Sequence, residues 1–520
     1  MSMMLTLSHW VLKVFCARTA HRYENGCHQL EQVQRQKLTE LLKLSGQTVR
    51  TYEDFHGKFP LTRYTHWKST IDEMRQHQRN LLNQDKIVRY QPTSGSSDAL
   101  KFIPYTETFL NELDQAIAAW LNSMYKQYPN LAGTTHYWSV SWLPESQRKV
   151  LENANLNDDS ALLSFSKRIL SYFTQAVPAE VAMAKSAEDA MFATATYLVK
   201  NHRLGLISVW SPTFAIQLLQ IIRDRKDEIA LVLETGKWYS ADLNGIEAPV
   251  DLERARILKH LDFSQPHAWK TLWPRLVLVS SWDTASATAW ATKLKKMLPH
   301  VAFEGKGLWA TEGVVTIPYK GQYPLAYTSH FYEFLHVDSD LVVPAWQLNH
   351  GDLVSPVITT GSGLFRYVID DVLLVSGDYK GVPTFEFQGR RMTVDFVGEK
   401  MDATTALSLL GHFKHERCET VSLLGCDLGT DDLPYYTLLC ESEYPHTVPT
   451  AAEVDNYLKR NFHYELARNL GQLAPAKVIS KRDAWGFYKQ LAIDNGMIEG
   501  NIKPEPLKKF KMKFAKLEHV

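Results

Sequence analysis

The chain has 520 residues, 45% of them hydrophobic and 22% charged, and 57 Lys plus Arg balance 57 Asp plus Glu. At this length roughly two to four domains fit, and the composition excludes a disordered chain or a fibrous repeat. A net charge of zero excludes bulk electrostatic capture of nucleic acid or of an anionic membrane, so any anion is bound locally.

Met1 to Arg18 is apolar, but His9 and Lys13 interrupt it and no small-residue cleavage pattern follows; the expectation is an amphipathic first helix, not a signal peptide. Thr106 is the expected N-cap of a helix in which Phe109, Leu110, Leu113, Ala116, Ile117, Trp120, Leu121 and Met124 recur at three- and four-residue spacing. The uncharged run Leu204 to Ile222 has membrane length, yet Ser208, Ser211, Pro212, Thr213, Gln217 and Gln220 favour a buried strand-turn-helix. Further strands are expected at Leu206–Trp210, Leu276–Ser280, Val314–Ile317, Phe331–Val337 and Thr384–Gly389, which with the helices make an α/β architecture. Turn formers in Ser376–Pro383 divide Leu364–Phe387 into two apolar runs, expected as a hairpin or a small sheet.

Past about Gly398 the pattern changes to a helix at Asp402–His412, strands at Thr420–Leu424 and Tyr435–Cys440, and a longer helix at Ala451–Leu470. This reads as a separate α+β domain, with a boundary in Gln388–Lys400; the division adopted is 1–390 and 391–520. Cys16, Cys27, Cys418, Cys426 and Cys440 form no CxxC pair, as expected of reduced thiols in a cytoplasmic protein.

Three segments carry chemistry. In Thr93-Ser94-Gly95-Ser96-Ser97-Asp98-Ala99-Leu100-Lys101, backbone N–H groups and hydroxyls can converge on phosphate oxygens and a lysine adds a point charge. The same pattern also serves as an ordinary turn before a strand. In Gly307-Leu308-Trp309-Ala310-Thr311-Glu312-Gly313, a hydroxyl and a carboxylate stand side by side; Glu312 is a hard oxygen ligand of the kind Mg²⁺ takes beside a nucleotide phosphate, or simply a turn residue. In Gly363-Leu364-Phe365-Arg366-Tyr367-Val368-Ile369-Asp370-Asp371, a carboxylate at a strand end can accept both ribose hydroxyls. The nearby arginine can hold that carboxylate or touch phosphate.

These segments, in this order ahead of a small C-terminal domain, resemble the adenylate-forming superfamily and, more narrowly, the GH3 family of acyl acid amido synthetases. Pro60-Leu-Thr-Arg-Tyr64, Thr93 to Thr106, Leu206 to Pro212, Leu272 to Leu276, Lys306 to Gly313, Phe331 to Phe334, Gly363 to Tyr367 and Gly398 to Lys400 are similar to family patterns, as are Asn461, Tyr464, Arg468 and Gly471 to Leu473. The resemblance implies a large N-terminal α/β domain of adenylate-forming type that binds nucleotide and acyl substrate, followed by a smaller, mobile α+β lid. It places Thr93, Ser94, Gly95, Ser96, Ser97 and Lys101 at the ATP phosphates. Thr311, Glu312 and Gly313 fall at the α-phosphate and Mg²⁺, Arg366 beside the nucleotide and Asp371 at the ribose. Lys503, in Asn501-Ile-Lys-Pro-Glu-Pro506, is the counterpart of the family's catalytic lysine, and Arg390 and Arg391 lie at the hinge. Two positions depart from the pattern: Asp98 stands near a usual glycine, and Asp370 replaces the glycine of a Tyr-Arg-x-Gly-Asp motif.

The implied reaction joins a small carboxylic acid to an amine, typically an amino acid, through an acyl-adenylate, with ATP and Mg²⁺ and with neither nucleic acid nor membrane as partner. Two alternatives stay open: transfer to a thiol such as coenzyme A, and a nucleotide-binding scaffold without turnover. Trp138, Trp142 and Trp210 either wall an acyl pocket or belong to the core. His330 or His336 either deprotonates the amine or is structural.

Overall fold

The computed structural model describes residues 2–49, 51–93, 101–139, 174–243, 245–284, 287–337, 339, 341–390, 393–394, 396–397, 399, 401–427, 433–469, 471–497 and 502–511. They fall into two compact units, the first ending at Gln388 and the second beginning at Gly389.

In the first unit, helices α1 (Ser2–Gly26), α2 (Leu30–Leu44), α3 (Tyr52–Lys58) and α4 (Tyr64–His77) precede an antiparallel pair, β1 (Ile87–Thr93) and β2 (Lys101–Thr106). Helix α1 buries Leu5, Leu12, Cys16, Ala20 and Tyr23, one face of the expected amphipathic helix. Near its end Glu24 accepts hydrogen bonds from Tyr319 and Tyr379 at 2.8 and 2.9 Å and from Lys320 at 3.2 Å. Strand β2 runs into α5 (Glu107–Gln127), where the Thr106 hydroxyl accepts the Phe109 N–H at 3.1 Å and so caps the helix.

Strands β3 (Thr135–Trp138), β4 (Leu204–Ser208), β5 (Leu278–Ser281) and β6 (Ala302–Gly305) form a parallel sheet in that order. Every residue of β4 is buried, the condition in which a strand reads as a continuous apolar run. The chain then turns into the helix Pro212–Asp224, whose proline occupies the first turn, where its missing N–H costs nothing. The expected strand-turn-helix is thus present, packed in one core with Leu198, Trp273 and Val279.

The second sheet follows a short hairpin of β7 (Trp309–Ala310) and β8 (Gly313–Val314). It comprises β9 (Phe331–His336), β10 (Val342–Pro344), β11 (Leu353–Thr359), β12 (Tyr367–Val368), β13 (Asp371–Tyr379) and β14 (Val382–Arg390), in the order β10-β9-β11-β13-β14 with β12 on β11. Lys380 and Gly381, at φ 54° and 89°, make the two-residue turn of the expected β13–β14 hairpin; such turns need positive φ at both positions. The strand expected at Val314–Ile317 is cut short after Val314. Thr316 bridges Leu325 instead, and its hydroxyl accepts the Leu308 N–H at 2.8 Å. Gly307 packs so closely there that a Cβ would stand 2.0 Å from the Thr316 carbonyl oxygen.

The second unit begins with β15 (Thr393–Val394) and β16 (Met401–Asp402), and continues into the helix Ala403–Phe413, capped by Asp402. Its main sheet has the order β19-β18-β17-β20, from β17 (Glu419–Asp427), β18 (Tyr435–Glu441), β19 (Lys477–Lys481) and β20 (Leu507–Lys511). The single helix expected at Ala451–Leu470 is two, Ala451–Leu458 and Phe462–Asn469. Asn461 starts the second by accepting the Tyr464 N–H at 3.3 Å. The bend brings Tyr464 and Arg468 onto Asp455, at 2.7 and 3.0 Å, and Asp455 also accepts the Ala476 N–H at 3.0 Å. Burial works to raise the Asp455 carboxyl, but Arg468 and Lys459 lead a set of hydrogen bonds that holds it far below the usual carboxylate range.

All five cysteines are free and buried, and burial pushes the Cys426 thiol up to about 11. Among the described residues no helix is long and apolar enough to cross a membrane.

Candidate active site

The ends of the Ser/Gly-rich segment are held as a pair: Thr93 and Lys101 face each other in the β1–β2 register. Ser94, Gly95, Ser96, Ser97 and Asp98 lie outside the described residues. The Lys101 ammonium stands 5.7 Å from the Tyr64 ring centroid, and the Tyr64 hydroxyl accepts the Phe102 N–H at 2.9 Å, so the Pro60–Tyr64 motif braces the start of β2.

Thr311 and Glu312 form the apex of the β7–β8 hairpin. Gly313 is required behind them, because a Cβ would lie 2.8 Å from Ile358 Cδ1 and 3.0 Å from His330 Nε2. Tyr105 donates to the Thr311 carbonyl at 3.0 Å, and Tyr367 donates to Glu312 Oε1 at 2.9 Å. Burial, then the Glu312 charge, holds the Tyr367 phenol above its ordinary value; burial also raises Tyr105, with Arg89 opposing and Glu312 adding. Both phenols therefore keep their protons and donate. The hairpin apex is thus held by hydroxyls on strands from two distant parts of the sequence, Tyr105 at the Thr311 carbonyl and Tyr367 at Glu312.

Thr62 extends β12. Its N–H donates to the Arg366 carbonyl at 2.8 Å, its carbonyl accepts the Val368 N–H at 2.9 Å, and its hydroxyl donates to the Phe365 carbonyl at 2.7 Å. Asp371, buried, opens β13 three residues past β12. The first unit therefore brings Lys101, the Thr311–Glu312 hairpin and the Arg366–Asp371 segment into one connected shell of tyrosines, Tyr64, Tyr105 and Tyr367. Arg366 itself is turned away. It is 4% exposed, adopts φ 47°, and binds Glu333 through Nε and Nη2 at 2.8 and 3.1 Å and the carbonyls of His56 and Phe59 at 3.0 and 2.6 Å. The carboxylate that these contacts hold is Glu333, not the strand-end aspartate expected from the sequence.

The GH3 family N-terminal domain matches residues 19–303, more than half of the chain, and the GH3 family central domain matches 323–390. The chain belongs to the GH3 family. Indole-3-acetic acid-amido synthetase GH3.15 of Arabidopsis thaliana is 29% identical over 151 residues, 24% of each chain, so the aligned part spans about a quarter of that relative's length. The fold is similar over nearly the whole length to two solved GH3 structures. AtGH3.15 acyl acid amido synthetase in complex with 2,4-DB has a TM-score of 0.74 at 17% identity, covering 95% of this chain and 94% of that one. GH3.15 acyl acid amido synthetase has a TM-score of 0.69 at 18% identity, covering 93% and 92%.

The departure from the GH3 motif at Asp370 has a local explanation: its carboxylate is half-exposed and pairs with Arg63 of the Pro60–Tyr64 motif, so it adds no uncompensated charge. His330 is structural. It is fully buried, its Nε2 accepts the Val314 N–H at 3.2 Å, and Nδ1 is 2.8 Å from Glu112 Oε2, which leaves no ring nitrogen for an amine. Glu112 Oε2 also accepts the Gly361 N–H at 2.9 Å, so this buried pair ties α5 to the hairpin and to the strand end before Arg366. Sequence reasoning missed Glu112. Its signal was a carboxylate inside the apolar stripe of α5, between Phe109 and Ala116. His336 lies at the far end of β9, and Trp142 is outside the described residues.

In the second unit Lys503 is half-buried between anchored neighbours. Ile502 and Pro504 are buried, Ser422 donates to the Glu505 carbonyl at 2.7 Å, and the Leu423 N–H donates to the Pro506 carbonyl at 2.8 Å. Arg390 ends β14, and Arg391 is outside the described residues.

Proposed function

We propose that this GH3 chain is an ATP-dependent acyl acid amido synthetase, which adenylates a carboxylic acid with release of pyrophosphate and passes the acyl group to the amine of an amino acid. The observation that supports the reading is the shell of the first unit, in which tyrosines contact the flank of a hydroxyl-rich loop and both residues of the Thr311–Glu312 apex, with the buried Asp371 opening the strand that follows Tyr367. A carboxylate resists nucleophiles and has no leaving group, so it must first be activated. Its attack on the α-phosphate of ATP expels pyrophosphate and gives the mixed anhydride, whose adenylate the amine then displaces.

Negative charge builds at phosphorus during the first step. Lys101 and Lys503 are assigned to stabilise it, together with backbone N–H groups of the 93–97 loop, which is preorganised electrostatics and not covalent catalysis. Lys503 then serves mainly the first half-reaction, and Asp371 accepts the ribose hydroxyls. The second unit is assigned as the mobile lid, with its hinge at Arg390 and Arg391. Among the described residues no group of three or more His, Cys, Asp or Glu could hold a metal. Mg²⁺ takes one or two carboxylates and otherwise substrate phosphates, and Glu312 is the carboxylate proposed for it. When bound, Mg²⁺ supplies positive charge against the triphosphate oxygens.

The test is acid-dependent exchange of labelled pyrophosphate into ATP over a mixed panel of carboxylic acids, followed by product mass with amino acids or with coenzyme A. Exchange and an amide product are expected. No exchange with any acid would defeat the proposal, and a thioester product would replace its second half.

A further inference from the structure

The parallel sheet ends in a cluster of indoles. Trp138 is the last residue of β3, Trp210 lies just past β4, Trp282 follows β5, and Lys306 follows β6. Trp120 of α5 and Trp309 of β7 complete the group. Ring centroids are 5.8 Å apart for Trp120–Trp138, 5.5 Å for Trp210–Trp282, and 6.5 Å from Trp309 to each of Trp120 and Trp210. Trp120 belongs to the core and Trp138 and Trp309 pack against it, while Trp138, Trp210, Trp282 and Trp309 are each only partly buried. The carboxyl ends of parallel strands are where open α/β sheets bind ligands.

A cation sits among the rings. Lys306 Nζ is 4.6 Å from the Trp210 centroid, 5.1 Å from that of Trp120, and donates to Ser208 Oγ at 2.8 Å. Trp120 Nε1 is committed to Glu304 Oε1 at 2.8 Å, which fixes that ring. An ammonium with indole walls is a receptor for a flat anion: the rings take an unsaturated body by stacking and exclude water, and a charge-assisted hydrogen bond gains strength there. Trp309 is also two residues before Thr311, so a molecule stacked on it lies next to the Glu312 hairpin.

We propose that Lys306 recognises the carboxylate of the acid substrate while the indoles of Trp120, Trp210 and Trp309 hold its planar body. The assignment rests on the adenylating reading above and names the part of that site which selects the acid. One carboxylate oxygen accepts from Lys306, and the other keeps its lone pair for the phosphorus.

Tryptophan fluorescence gives a readout that needs no turnover. The full-length chain is titrated with benzoate and 1-naphthoate and with benzamide and 1-naphthamide, which have the same bodies without the charge. The acids are expected to bind about tenfold or more tighter than the amides, the range of one charge-assisted hydrogen bond. Lys306→Met should bind acid and amide alike with unchanged ATP affinity by calorimetry, and Lys306→Arg should restore part of the preference. Wild-type protein that does not distinguish acid from amide, or Lys306→Met that still does, overturns the assignment. Pyrophosphate exchange run in parallel with benzoate and with hexanoate separates the two readings. Exchange without charge discrimination removes Lys306 and leaves adenylation standing, whereas discrimination that depends on Lys306 without exchange does the reverse.

Discussion

Glu312 and Glu333 are both motif carboxylates of the first unit, and both are tied to the Gly363–Asp371 segment, yet they are built for different tasks. Glu333 is completely buried and accepts from Arg366 twice and from Tyr52 at 3.2 Å, with His56 Nδ1 at 3.0 Å. Glu312 stands at a hairpin apex, partly exposed, and accepts from Tyr367. A carboxylate enclosed by its own protein's donors is a fastening. One at a partly exposed hairpin apex can still be reached by a cation or ligand. The same contrast separates Arg366 from Lys101, and it explains why residues a few positions apart in one motif need not share a role.

The comparison breaks most visibly on stability. Glu333→Ala leaves the Arg366 guanidinium buried without its counter-charge, and chemical denaturation should show a loss of about 3–5 kcal/mol. Glu333→Leu with Arg366→Met should lose less than the single change, because neither charge then remains buried. Glu312→Gln should do the opposite: the Tyr367 contact survives and the melting temperature stays within about 2 °C, while pyrophosphate exchange falls by about 10²–10³. An unchanged exchange rate would remove Glu312 from the chemistry.

A third carboxylate sharpens the distinction by pH. Burial works to raise the Glu24 carboxyl, but hydrogen bonds from Lys380, Tyr319, Tyr379 and Lys320 outweigh it and hold it at about 2. A depressed carboxyl contributes stability above its unfolded value of about 4.3, and that contribution is lost as the pH falls toward the folded value. Glu24→Gln should cost about 2 kcal/mol at neutral pH and flatten the acid limb of the stability curve below about pH 4.5; an unaltered limb would show that other groups govern it. The smallest effect belongs to Asp370→Asn. Its pair with Arg63 is half-exposed, so stability should change by under about 1 kcal/mol and exchange activity should stay within about twofold. A large gain in activity would mean that Asp370 was obstructing the triphosphate.

What the sequence made legible was local. The Thr106 cap, the stripe of α5, the turn into Pro212 and the Lys380–Gly381 hairpin each depend on residues within a few positions of one another. The Thr-Glu apex was visible as a motif, although the need for Gly313 came only from Ile358 and His330 behind it. The contacts that escaped are long-range: Glu112 meets His330 across 218 positions, and Arg366 meets the His56 carbonyl across 310. No periodicity encodes such partners. The split of the expected Ala451–Leu470 helix has the same origin, since Asp455 draws in Tyr464, Arg468 and Ala476 from the following segment. Lys306 lies inside a motif, but its surroundings come from elsewhere in the chain, Trp120 on α5 and Trp210 just past β4.

The burial of every native cysteine has a practical corollary. With Cys16, Cys27, Cys418, Cys426 and Cys440 all enclosed, maleimide chemistry has no ready native target in the folded chain. A single cysteine introduced at the half-exposed position 370 would accept a reporter dye on a silent background, and that dye would report in real time whether ATP reaches the proposed site.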